Sequence, residues 1–139
     1  EMIAIARERY AVDLVPNLAF RTATAETLAA ERGQFDAVLG FNYLHLVRDL
    51  PATLDNIHTL LASRGVFISK TPCVGDMNPL VRLLLLPAMR AVGLASYAGA
   101  FSAAELSRHI VAAGFELLSA ENHASASNDN RPYIVARKR

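Results

Sequence analysis

Phe35-Asp36-Ala37-Val38-Leu39-Gly40-Phe41-Asn42-Tyr43-Leu44-His45-Leu46-Val47 is the stretch whose reading decides the fold. From Phe35 to Phe41 it is apolar, broken only by Asp36 and closed by Gly40. A run that short suits a strand buried on both faces, as in a parallel sheet covered by helices. The chain then turns through Asn42 and Tyr43, and Asp49 and Pro51 signal the start of a helix. In open α/β sheets, ligands sit outside the carboxyl ends of the strands, and Phe41 to Leu46 would occupy that rim.

Outward from this stretch, the apolar periods alternate. Glu1 to Tyr10 reads as a helix with Ile3, Ala6 and Tyr10 on one face, and Pro16 and Asn17 separate it from a short strand, Leu18 to Thr22. Thr24 can cap a brief helix, Ala25 to Glu31, which Gly33 ends. Leu50 to Ala62 reads as a helix buried along Leu50, Leu54, Ile57, Leu60 and Leu61. Gly65 suits the left-handed residue of the Ser63-Arg64-Gly65 turn, and Val66 to Ser69 is a further apolar strand. Pro79 opens a long apolar helix, Leu80 to about Val92, which Pro87 should kink. Ser102 and Glu105 form a capping box for a helix Ala103 to Ala113, and Gly114 ends it. Phe115 to Asn122 and Pro132 to Arg137 read as an antiparallel pair joined by a polar turn. Such alternation predicts a mostly parallel α/β sheet in one domain, 1–139, with an antiparallel last strand.

Composition sets outer bounds. The 139 residues are 53% hydrophobic, enough for a sizeable core. Net charge is +1, with no basic stripe, so charge gives no support to a nucleic-acid partner. The single cysteine, Cys73, excludes an internal disulfide and fits a reducing compartment. Leu80 to Leu94 is interrupted by Arg82, Pro87 and Arg90, too short and too charged for a membrane span of about 20 apolar residues. No signal peptide is read in the first residues, and the expected location is cytoplasmic.

Several ordered segments together resemble the class I S-adenosylmethionine-dependent methyltransferases of the small-molecule type. They are Glu1-Met2-Ile3-Ala4-Ile5-Ala6-Arg7-Glu8-Arg9, Ala23-Thr24-Ala25-Glu26-Thr27-Leu28, the Phe35 strand and its turn, and Leu60 through Ile68. Phe101-Ser102-Ala103-Ala104-Glu105-Leu106, Ala113-Gly114-Phe115 and Tyr133 through Lys138 complete the set. The resemblance implies a Rossmann-like three-layer sandwich and S-adenosylmethionine as cofactor. The family's glycine-rich loop should precede Glu1, and none of the seven glycines forms a Gly-x-Gly. About the first two strands of that fold are therefore expected to be missing, leaving an open sheet edge. A homodimer is one way to fill it, and cofactor affinity of the fragment alone is expected to be weak or absent.

By the same resemblance, Met2 lies against the adenine ring; the plain alternative is an apolar first-turn residue. Thr24, Ala25 and Glu26 match the adenine-side loop, with Thr24 where the family usually carries Asp; a plain helix cap is the alternative for Thr24. Phe41, Asn42 and Tyr43, at the rim, would hold the amino-acid end of the cofactor. His45 is the candidate base for a hydroxyl or amine acceptor, against a structural role tying loop to sheet. Residues 71–100 form the substrate-side insert, with Tyr97 and Phe101 as acceptor-contacting aromatics and a small, apolar acceptor. No spacing suggests a metal. Two rival readings are a catalytically inactive α/β scaffold or interaction protein lacking the cofactor loop, and another doubly wound nucleotide enzyme.

Overall fold

A computed structural model describes residues 2–10, 17–76, 101–121 and 130–139. The elements are α1 (Met2–Tyr10), β1 (Phe35–Phe41), α2 (Leu50–Leu60), β2 (Leu61–Lys70), α3 (Ala103–Ala112), β3 (Phe115–Glu121) and β4 (Tyr133–Lys138). The expected apolar helix from Leu80 falls outside the described residues, as does most of the turn before β4. Among the described residues no helix is long and apolar enough to cross a membrane.

The sheet has the order β1-β2-β4-β3. β1 pairs parallel with β2, while β4 lies antiparallel between β2 and β3. Three strands thus run one way and the last runs against them, as the alternation requires. One face carries Phe67, Phe115, Ile134 and Ala136, all fully buried. α2 and α3 cover it with Leu54, Ile57, Leu106 and Ile110, and these side chains form one cluster. Phe115 sits at its centre, 5.8 Å from the ring of Phe67 and edge-on to His58 at 5.1 Å. Such aromatic pairs add to the area they bury.

Local chemistry fixes the helix ends. Asp49 Oδ1 accepts from Ala52 N at 2.9 Å, capping α2, with a proline in its first turn. Ser102 and Glu105 form the capping box of α3, and the hydrogen bonds from Ser102 hold the Glu105 carboxyl below its usual range. Gly114, at φ 89°, turns the chain out of α3, and His58 Nε2 packs 3.1 Å from where a Cβ would stand. The far end of α2 is held from long range, since Lys138 Nζ donates to the carbonyls of His58 and Leu61.

Four local expectations differ from the structure, the first being that β1, expected to be buried on both faces, leaves Leu39 and Phe41 more than half exposed on the face that α2 and α3 do not cover. Residues 18–22 form no strand, and among the described residues no neighbouring strand offers them a ladder. They are held instead by α1: Arg7 Nη2 donates to Phe20 O at 2.8 Å, and Tyr10 packs on the Phe20 ring. Residues 25–30 make turns rather than a helix, mixing an i+4 bond from Leu28 N to Thr24 O with i+3 bonds from Ala29 and Glu31. β2 begins at Leu61, and the left-handed residue of its early bend is Arg64 rather than Gly65. Gly65 is required for space instead: a Cβ there would stand 3.0 Å from Ala62 O and 3.2 Å from Asp36 O.

Candidate functional site

The carboxyl ends of β1, β2 and β3 share one rim. β1 leaves it through Asn42, whose φ of 50° turns the chain and whose N donates to Lys70 O at 2.9 Å. That bond ties the exit of β1 to the end of β2. Tyr43 follows, half-buried against the core, and its carbonyl accepts from Leu46 N at the close of the short 3-10 turn Leu44–Leu46. Leu44 anchors the turn in the core, while Phe41 and Leu46 stay more than half exposed.

The turn carrying Thr24 and Ala25 comes against this exit. Between them lies a cavity of about 210 Å³, walled by Thr24, Ala25 and Leu28 on one side and by Val38, Gly40 and Tyr43 on the other. The structure therefore brings together Thr24, Ala25 and Tyr43 from the expected site. Phe41, Asn42, Glu26 and His45 stand near this wall in the chain but do not line the cavity. Met2 opens α1, and its side chain, like Tyr97, lies outside what the structure describes. Phe101 is buried in the core cluster, with its carbonyl accepting from Gly75 N at 2.9 Å.

Thr24 has the geometry of a cap. Its hydroxyl accepts from Thr27 N at 3.2 Å and donates to Glu26 Oε2 at 3.0 Å, while Thr27 Oγ1 accepts from Thr24 N. The hydroxyl proton is thereby committed to Glu26, so any further contact of this group is as an acceptor. His45 is half-buried, and burial pushes its pKa below the ordinary value, keeping the ring neutral at neutral pH. Its Nδ1 has no hydrogen-bond partner among the described residues. Burial drives the Cys73 thiol up to about 12, which makes it inert.

The larger cavity of the rim, about 420 Å³, lies at its other end, between Asp76, Ala103 and Ser107 and the end of β3 at Glu121. Size does not make it the better cofactor candidate, because it contains none of the residues grouped at the exit of β1. A clasp that no local pattern announces fixes its Asp76 wall: Asp76 Oδ2 accepts from Ala103 N at 2.7 Å, and Gly75 presses on the backbone of Phe101 and Ser102. The described residues Asp76 and Ala103 therefore meet at the rim. Leu28, Ile57 and Leu60 were also unforeseen as cavity walls, since their spacing marks only a buried face.

A mixed sheet of order β1-β2-β4-β3, with three strands running one way and β4 against them, fits a Rossmann-like class I methyltransferase domain. The model of the methyltransferase domain family matches residues 1–137, and the chain belongs to that family. Solved structures agree on the fold. The CurJ carbon methyltransferase is 18% identical with a TM-score of 0.71, over 97% of this chain and 38% of its own. The trans-methyltransferase CalH, solved in complex with SAH, is 25% identical with a TM-score of 0.68, over 96% of this chain and 39% of its own. A possible histamine N-methyltransferase from Thermotoga maritima is 22% identical with a TM-score of 0.69, over 99% of this chain and 69% of its own. The chain thus spans well under two thirds of the length of CurJ and CalH. No curated protein sequence matches it.

Proposed function

We propose that this domain serves S-adenosylmethionine-dependent methyl transfer to a small, apolar acceptor. The observation that carries the reading is the cavity joining the Thr24-Ala25 turn to the Gly40-Tyr43 exit of β1. Its volume of about 210 Å³ is below the ~300–1,000 Å³ of a complete small-molecule pocket, so it suits one end of a cofactor. Its donor set fits the adenine end: apolar walls at Ala25, Leu28 and Val38 for a flat ring, with the Thr24 lone pair as acceptor for an amine. Phe41, Asn42 and Tyr43 would hold the amino-acid end, with Met2 and Glu26 beside the adenine.

When bound, the cofactor supplies a methyl group on an already activated sulfonium. The chain's part is then placement, which is worth several kcal/mol when reacting atoms are held near contact, ~7–11 in the best cases. Asn42 and the core anchor of Leu44 hold the exit of β1 in one conformation. His45, kept neutral by burial, is available to take a proton from a hydroxyl or amine acceptor. The acceptor side would be residues 71–100, with Tyr97 as a contact and Phe101 in the core behind it.

Isotope-edited NMR titration with S-adenosylhomocysteine tests the reading. Weak, saturable shifts at Thr24, Ala25 and Gly40 to Tyr43 are expected, lost in Tyr43→Ala. Shifts absent or scattered over the sheet would sink it. They would favour an inactive scaffold.

A further inference from the structure

The cavity of about 420 Å³ lies on the side of the sheet away from β1, among α3, β3, β4 and the turn that ends at Asp76. Three strand spacings, ~14 Å, separate β3 from β1. Its volume falls within the ~300–1,000 Å³ of small-molecule pockets. A β-bulge helps to open it. β3 shifts register against β4 between Leu117 and Ser119, so that Ala120 rather than Ser119 comes opposite the core residue Ile134. α3 sets Ala103, Ala104 and Ser107 against this wall, and Pro132 closes it before β4. Small side chains thus face small ones, and the space between them stays unfilled.

We propose that this cavity binds a small primary amine in its protonated form, carried on a short apolar body. Its charged lining residues, Asp76 and Glu121, are both acidic, and no lysine, arginine or histidine lines it among the described residues. Asp76 is held in place: its Oδ2 accepts from Ala103 N at 2.7 Å, and its own N donates to Cys73 O at 3.1 Å. That single bond leaves the carboxylate with further lone pairs and no proton to give. Ser107 adds a hydroxyl that can also accept. An ammonium group brings three donors and a positive charge to these acceptors, and charge-assisted bonds are the stronger ones. The alanine and proline walls suit a short hydrocarbon. An anion is disfavoured, because the positive end of α3 is already answered by Asp76 and Glu105. The site stands apart from the cavity at the exit of β1 and does not depend on what that one binds.

The test is an NMR titration of the 139-residue chain with n-butylamine at about pH 7, where an alkylamine is protonated. n-Butanol and butyrate, of similar shape but neutral and negative, are titrated beside it. Saturable shifts at Ala103, Ala104, Ser107 and Ala120 are expected, with a Kd of about 1–10 mM for a ligand this small. Butanol should bind about tenfold more weakly and butyrate not at all. Asp76→Asn should weaken the amine about tenfold. Because that change also touches the start of α3, Ala120→Leu is the second variant: it fills the cavity from an exposed position and should abolish binding with unchanged circular dichroism. Butyrate or butanol binding as tightly as the amine overturns the proposal. So do shifts that fail to saturate or spread equally to Asp36 and Asp55, and so does amine binding indifferent to Ala120→Leu.

Discussion

The two sides of the sheet are made of similar residues and are held very differently. On the β4-β3 side, each of β2 and β4 lies between two strands, and α2 and α3 close one face over Phe67, Phe115, Ile134 and Ala136. On the β1 side, Leu39 and Phe41 are more than half exposed, and the apolar residues before it fail to form a strand. A strand is stabilised by neighbours in the ladder and a covered face, so equal apolar content yields a core in one place and a loose rim in the other.

The largest test of this contrast sets two phenylalanines against each other. Phe115→Ala should lower unfolding free energy by about 3–5 kcal/mol in urea titration, since the ring is fully buried between Phe67 and His58. Phe41→Ala, at a residue more than half exposed, should change it by no more than about 0.5 kcal/mol. Equal costs would break the comparison.

Next come two glycines. At Gly75 an added Cβ would stand 2.5 Å from Ser102 N and 2.6 Å from Phe101 C, backbone atoms that cannot swing away. Gly75→Ala should cost about 1–3 kcal/mol. At Gly40, on the rim, the nearest atom is a ring carbon of Phe67 at 3.4 Å, and Gly40→Ala should cost clearly less. The same urea series ranks them.

Caps give a smaller difference. Ser102→Ala removes a reciprocal cap from a helix built into the core and should cost about 1 kcal/mol. Thr24→Ala removes the analogous bonds from an exposed turn and should stay within about 0.5 kcal/mol. Thermal melts of both variants suffice.

The smallest effect is a pH slope. Burial, then the Lys138 charge, pushes the His58 pKa below its ordinary 6.5. As pH falls through about 6.5 the unfolded chain takes the proton first, so it binds more protons than the fold and stability drops. This contribution is present above that pH and lost as pH falls through the folded value. Melting temperature should fall between about pH 7.5 and 5.5, and His58→Gln should flatten that fall.

Much was legible because it is local. The Asp49 cap, the Ser102-Glu105 box, the left-handed Gly114 and the Phe35 strand each depend on residues within one or two turns of one another. The family was legible for the same reason, as an ordered set of such pieces. Of the site, the exit of β1 and the Thr24 turn could be named, since a strand end and a cap carry their own signatures. That they face one cavity could not.

What the sequence determined by itself was the identity and order of α1, β1, α2, β2, α3, β3 and β4, because periodicity and capping are written within a few residues. Tertiary structure alone decided which of them received partners. Leu18 to Thr22 has a strand's composition but joins no ladder among the described residues, and Arg7 and Tyr10 hold it through Phe20. Lys138 closes α2 from the far end of the chain, and Gly75 and Asp76 clasp the start of α3. Hydrogen bonds and close contacts between distant residues depend on where the backbone returns, and no local pattern encodes that return.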